Sequence, residues 1–147
     1  MHLINVLIQV AAGSRERRLY NEKTLEHLGT RETARPYPYP YGFVLGTKAE
    51  DNDNVDCYVI TTESLEAGTI VECEPIGLLE QDENGDIDHK ILAGLPGQEV
   101  NLGDDLRLEL EDFIQALFAR FPGASVRVGR ILPREAALQH LEASRDA

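Results

Sequence analysis

The sequence predicts an α+β fold: a small barrel or curled sheet with two C-terminal helices packed outside it. Apolar, β-branched runs separated by turn residues occupy residues 3–92, and helical spacing of apolar residues appears only afterwards. Strands followed by helices, instead of alternating with them, favour segregated layers over a doubly wound parallel sheet. No repeat or low-complexity linker divides the chain, so residues 1–147 read as a single domain.

Residues 3–10 read as a first strand that stops at Ala11-Ala12-Gly13. Residues 15–21 begin basic and turn mixed, as a loop leading into a short strand would. The segment Arg35-Pro36-Tyr37-Pro38-Tyr39-Pro40-Tyr41-Gly42 excludes a helix, because three prolines remove amide donors and hold the residues before them extended. Residues 55–62 and 69–79, rich in Val, Ile and Thr, are the clearest strands, with Gly68 turning between them. Asn84-Gly85 is a hairpin-turn signal, and residues 87–92 form the returning strand. Leu110, Phe113, Ile114, Leu117, Phe118 and Phe121 then follow helical spacing up to Pro122-Gly123. Residues 126–128 suggest a short strand, and Pro133 suits the first turn of a last helix running to about Ser144.

Composition narrows the function. The net charge of −12 opposes a nucleic-acid or anionic-membrane surface, both of which need a positive footprint. An oligonucleotide-binding barrel would also need stacking aromatics in a basic groove, whereas Tyr37, Tyr39 and Tyr41 alternate with prolines as a rigid packed segment. No apolar run is long enough to span a bilayer, and the N-terminus lacks a signal-peptide layout, so a cytoplasmic protein is expected. Cys57 and Cys73 read as reduced core thiols, and with no clustered His/Cys set a structural zinc site is not expected.

The chemistry concentrates in Asp51-Asn52-Asp53-Asn54-Val55-Asp56, three carboxylates spaced D-x-D-x-x-D ahead of a buried strand. Hard cations take oxygen ligands and retain several waters, so a few carboxylates suffice to hold them. Metal ions would also let an acidic pocket accept a phosphate, by inverting the local charge. The competing reading is a solvated Asp/Asn turn. An EF-hand does not fit: counted from Asp51, its third ligand falls on Val55 and its glycine on Asp56.

Tyr41-Gly42-Phe43, the acidic run, Pro75-Ile76-Gly77-Leu78-Leu79 and Asp88-His89-Lys90 together resemble the soluble family I inorganic pyrophosphatases, as does Ala12-Gly13-Ser14-Arg15 near the start. The resemblance implies an OB-like five-stranded barrel and hydrolysis of pyrophosphate, or a related phosphoanhydride, by water activated on Mg²⁺, with Mn²⁺ as a second candidate. By position it makes Asp51, Asp56 and Asp88 metal ligands, together with Glu83 or its neighbour Asp82. Asp53 would orient or deprotonate the attacking water, and Arg17, Tyr41 and Lys90 would contact phosphate oxygens. Bacterial members are commonly hexamers, so the resemblance also implies a homo-oligomer.

Several positions depart from the family pattern. Asn54 stands where Pro or Glu is usual, Gln9 replaces a Glu, Leu19 replaces a Glu, and the family Lys becomes Arg17 or Arg18. A phosphate-binding Arg aligns with Gly29, near Arg31, and a Tyr-Lys pair aligns with Leu117-Phe118. Arg120 is expected to be a poor substitute, about half a helical turn away from Phe118. The metal-binding half is retained and the anion-gripping half is altered. This leaves a non-catalytic or weakly active binder of metal and a phosphate compound as the alternative reading.

Overall fold

The computed structural model describes residues 2–146. Nine strands and two helices follow in the order β1 (Ile4–Val10), β2 (Glu16–Tyr20), β3 (His27–Glu32), β4 (Tyr41–Val44), β5 (Asp56–Val59), β6 (Ile70–Glu83), β7 (Asp86–Ile87), β8 (Lys90–Gly94), α1 (Asp104–Phe118), β9 (Val126–Pro133) and α2 (Arg134–Ala143). The main sheet runs β1-β4-β5-β8-β6, and β6 pairs back onto β1, so these five strands close into a ring. β5 and β8 are parallel, and the remaining ring pairs are antiparallel. β7 and β9 extend the sheet along the far half of β6, while β2 and β3 form a separate two-stranded ribbon.

Side chains alternate across this ring, as a period of two requires. Cys57 and Val59 of β5 join one cluster with Val6, Ile8, Val44, Cys73, Leu78, Ile91 and Ala93, to which α2 adds Ala137. Tyr58, between them in sequence, joins the opposite cluster with Tyr37, Tyr41, Leu79 and Leu92. That second face is covered by Leu106, Leu110, Phe113 and Ile114, the buried stripe of α1. Asp104 and Asp105 in the first turn complement the positive end of the α1 dipole.

Two backbone details set the frame. Asn84 and Gly85 have φ of 52° and 89°, the left-handed pair a tight hairpin between β6 and β7 demands. Gly42 lies so close to β1 that a Cβ there would stand 1.8 Å from the Leu7 carbonyl oxygen.

The elements differ from expectation in several places, among them residues 16–20, which form β2 in a segment expected to begin as a loop, and β6 and β9, which run on to Glu83 and Pro133. The ribbon strand β3 is additional; its residues are mostly exposed and carry no hydrophobic alternation. The returning strand is split into β7 and β8 by Asp88 and His89. α1 begins at Asp104 and ends at Phe118, leaving Phe121 outside it and 56% exposed. Pro133 ends β9 as the N-cap of α2, instead of occupying that helix's first turn. Both thiols are free and buried, and burial pushes the Cys73 thiol up to about 12. Among the described residues no helix is long and apolar enough to cross a membrane.

Candidate active site

The acidic run lies in the connection between β4 and β5. Asp51 Oδ1 accepts the Asp53 backbone N–H at 3.0 Å, and Asn52 takes a φ of 70°, so the chain curls and Asp51 and Asp53 lie on one side. Asp56 opens β5, one residue before Cys57 pairs with Ile91 in parallel register; Lys90 opens β8 beside it. These strand ends border a cleft of about 720 Å³.

All eight residues assigned to a site from the sequence line this cleft: Arg17, Tyr41, Asp51, Asp53, Asp56, Glu83, Asp88 and Lys90. Asp82 and Glu83 point to different surroundings. Asp82 turns to Arg127, with an oxygen 2.9 Å from its guanidinium, while Glu83 faces the cleft. Arg17 faces the cleft too, whereas Arg18 points to the Tyr20 hydroxyl at 3.4 Å.

Lys90 organises the floor. Its ammonium is 2.6 Å from Asp56 Oδ2 and 3.0 Å from Asp88 Oδ2, and it donates to the Tyr41 hydroxyl at 3.3 Å. Burial alone would favour the neutral amine, but Asp56, with Tyr41 and Asp88, holds the Lys90 pKa well above its usual range. Arg17 lies over the Tyr41 ring, 5.3 Å from the centroid, and donates to the Tyr37 hydroxyl at 3.3 Å. Its buried Nε has no partner among the described residues. Tyr41 is therefore buried between two cations.

Seven carboxylates line the cleft, Glu22 and Glu32 among them, against four cations: Arg17, Arg31, Lys90 and Arg120. The excess shows in their ionisation. Burial, followed among the raising effects by Asp53 and Asp56, lifts Asp51 above the ordinary carboxylate range. Burial does the same for Asp88, reinforced by Asp56 and Asp51 and opposed by Lys90. Glu22 is pushed up to about 7 by burial and by Asp56 and Asp53, against the Asn54 N–H that favours its anion.

An all-oxygen donor set under mutual repulsion fits hard divalent cations, which would relieve that repulsion. Among the described residues no three acidic, histidine or cysteine side chains gather into one compact metal-binding group. The carboxylates instead surround the space, an arrangement suited to ions that take few protein oxygens each and fill the remainder with water or phosphate.

The departures are spatial as well as sequential. Gln9 is buried and does not line the cleft; its Nε2 donates to the Arg18 carbonyl at 3.1 Å, and its Oε1 has no partner among the described residues. Leu19 and Gly29 face each other across the β2–β3 ribbon, outside the cleft, while Arg31 lines it. Leu117 and Phe118 do line it, and with Ile114, Phe121 and Ala124 they make this wall largely apolar. Arg120 also lines it; because α1 ends at Phe118, the angular separation of a continuous helix does not set its position. Glu22, Tyr37, Tyr58 and Gln81 are cleft residues that the sequence reading missed. The rigid Tyr-Pro segment carried a signal for Tyr37, but a glutamate in a turn carries none.

Residues 6–146 match the family model described as inorganic pyrophosphatase. An inorganic pyrophosphatase from Nostoc sp. is 40% identical over 138 residues, covering 88% of this chain and 80% of that protein. One from Nanoarchaeum equitans is 30% identical over 145 residues, covering 91% and 90%. The crystal structure of the inorganic pyrophosphatase from Thermus thermophilus superimposes with a TM-score of 0.85 at 26% identity, over 97% of this chain and 88% of that one. With the closed ring, the acidic cleft and these matches together, the chain belongs to the inorganic pyrophosphatase family.

Proposed function

We propose that this protein hydrolyses inorganic pyrophosphate, or a closely related phosphoanhydride, to phosphate in a Mg²⁺-dependent reaction. The observation that carries this reading is the convergence of Asp51, Asp53, Asp56, Glu83 and Asp88 on one cleft with Arg17, Tyr41 and Lys90. Membership of the family implies a divalent-metal cofactor, and Asp51, Asp56, Glu83 and Asp88 are the residues that would hold it. When bound, such ions lower the pKa of an attacking water and neutralise charge on the phosphates.

The remaining work falls to the chain. Asp53, tied through its backbone N–H to Asp51, orients the attacking water and takes its proton. Lys90, buried and always charged, offers its ammonium to a phosphate oxygen while holding Asp56 and Asp88 in place. Arg17 brings its guanidinium to the cleft, and Tyr41 carries a hydroxyl beside the Lys90 ammonium.

A second reading, a metal and phosphate binder with little turnover, is favoured by Leu117 and Phe118, which present no charge where an anion would be gripped. Phosphate release from pyrophosphate with Mg²⁺ or Mn²⁺, measured beside Asp56→Asn, decides between them. Release well above the variant is expected; release equal to it would leave only the binder. A melting temperature raised by neither Mg²⁺ nor Mn²⁺ would sink both. The family resemblance further suggests a cytoplasmic homo-oligomer, a hexamer by analogy, which light scattering on the purified protein tests.

A further inference from the structure

Glu22 reaches the cleft from the turn between β2 and β3, far in sequence from the acidic run it meets. One of its oxygens is fixed. Oε1 accepts the Asn54 backbone N–H at 2.9 Å, a donor that a proline at this position would lack. Asn54 itself is 3% exposed and fully engaged. Its Nδ2 donates to the Val44 carbonyl at 3.0 Å and to the Glu22 carbonyl at 3.4 Å, and its Oδ1 accepts from Lys23 Nζ at 2.6 Å. Lys23 also donates to the Thr47 carbonyl at 2.8 Å, so the turn is clamped onto the β4–β5 connection.

The other oxygen, Oε2, makes no hydrogen bond or ion pair among the described residues. Glu22 is close enough to Asp53 and Asp56 for both to act on its charge, and Arg17 acts on it in the opposite sense. The clamp thus holds a carboxylate in the same cleft as Asp53 and Asp56, with one oxygen uncommitted. A residue serving only to tie the turn down would not need that charge, because a neutral amide accepts the same Asn54 N–H. Gln9 and Leu19, meanwhile, bring no carboxylate to the cleft.

We propose that Glu22 is a working carboxylate of this site, an additional oxygen donor to the divalent cations, with Asn54 as the residue that positions it. The proposal rests on the metal-dependent reading of the cleft and supplies from a turn the charge that positions 9 and 19 lack.

The test is Glu22→Gln, which keeps the acceptor for Asn54 and removes the charge. Mg²⁺ and Mn²⁺ affinities are measured by titration calorimetry without substrate, together with metal-free melting and the Mg²⁺ dependence of phosphate release. The expected result is a metal-free melting temperature no lower than wild type, with Mg²⁺ affinity weakened about 10-fold or more. Mg²⁺ affinity within twofold of wild type would overturn the proposal, whatever happens to turnover. A lowered melting temperature for Glu22→Ala alone, with Glu22→Gln normal in metal binding, would likewise leave Glu22 a structural tie. If wild type binds Mg²⁺ but releases no phosphate, while Glu22→Gln still weakens binding, the donor role stands and the hydrolytic reading falls. Wild type that binds neither ion would overturn both.

Discussion

Lys90 Nζ lies 2.6 Å from Asp56 Oδ2, with the two side chains 7% and 18% exposed, at the start of the parallel pair β5–β8. The same ammonium meets Asp88 at 3.0 Å, so one buried cation separates two carboxylates. Lys90→Met removes that separation and leaves Asp56 and Asp88 partly buried without a counter-charge. Urea unfolding without metal is expected to show a loss of about 3 kcal/mol, partly restored by Mg²⁺. A metal-free stability equal to wild type would show that the pair contributes nothing to the fold.

Leu117 and Phe118 place apolar surface on the cleft wall. Phe118→Lys puts an ammonium where the family resemblance expects one. A charged hydrogen bond to a phosphate oxygen is worth about 1.5–3 kcal/mol, so kcat/KM for pyrophosphate is expected to rise about 10-fold or more. An unchanged value would mean that Arg31 and Arg120, which line the same cleft, already serve the anion.

Asp51, Asp88 and Glu22 all have raised pKa values in the absence of metal, with neighbouring carboxylates contributing to each shift. A divalent cation that binds the folded chain alone stabilises it by about 2.7 kcal/mol at 100 times its dissociation constant. Saturating Mg²⁺ is therefore expected to raise the melting temperature by about 5 °C or more, and a chelator to reverse the rise. Asp56→Asn should lose most of the shift.

Gly42→Ala is expected to cost about 3 kcal/mol or more, since its Cβ would meet backbone atoms of Leu7 at 1.8 and 2.8 Å that no rotamer change can move. Thermal melting of the purified variant, or its loss from the soluble fraction, provides the check.

The parts of the fold legible in the sequence were those written in local pattern. Asn84-Gly85 marked its hairpin because only a left-handed pair makes that turn, and the tyrosine-proline segment excluded a helix for lack of amide donors. β3 was invisible because His27–Glu32 lies in an exposed ribbon and has no buried face to impose alternation. The first two turns of α1 were missed because Asp104, Asp105, Arg107 and exposed Leu108 interrupt the apolar stripe that Leu106 begins. The cleft divides in the same way. The acidic run and Asp88 with Lys90 are short-range motifs, whereas Glu22 arrives through the tertiary placement of a turn. Arg120 lies differently from expectation because the helix was expected to run to Phe121, three residues past the end of α1.

The closure of the ring has a kinetic consequence. Asp56 and Lys90 are 34 residues apart and meet only when β5 lies beside β8, after the chain has run through the whole of β6. Until then the carboxylates are far apart in a solvated chain, and no ion finds them gathered. Contacts between such distant segments are costly in loop entropy and tend to form late. Divalent cations should consequently act after the rate-limiting step, leaving the refolding rate almost unchanged and slowing the unfolding rate. In a stopped-flow chevron, Mg²⁺ would lower the unfolding arm and spare the refolding arm, so the ion functions as a latch on the closed ring, not as a template for building it.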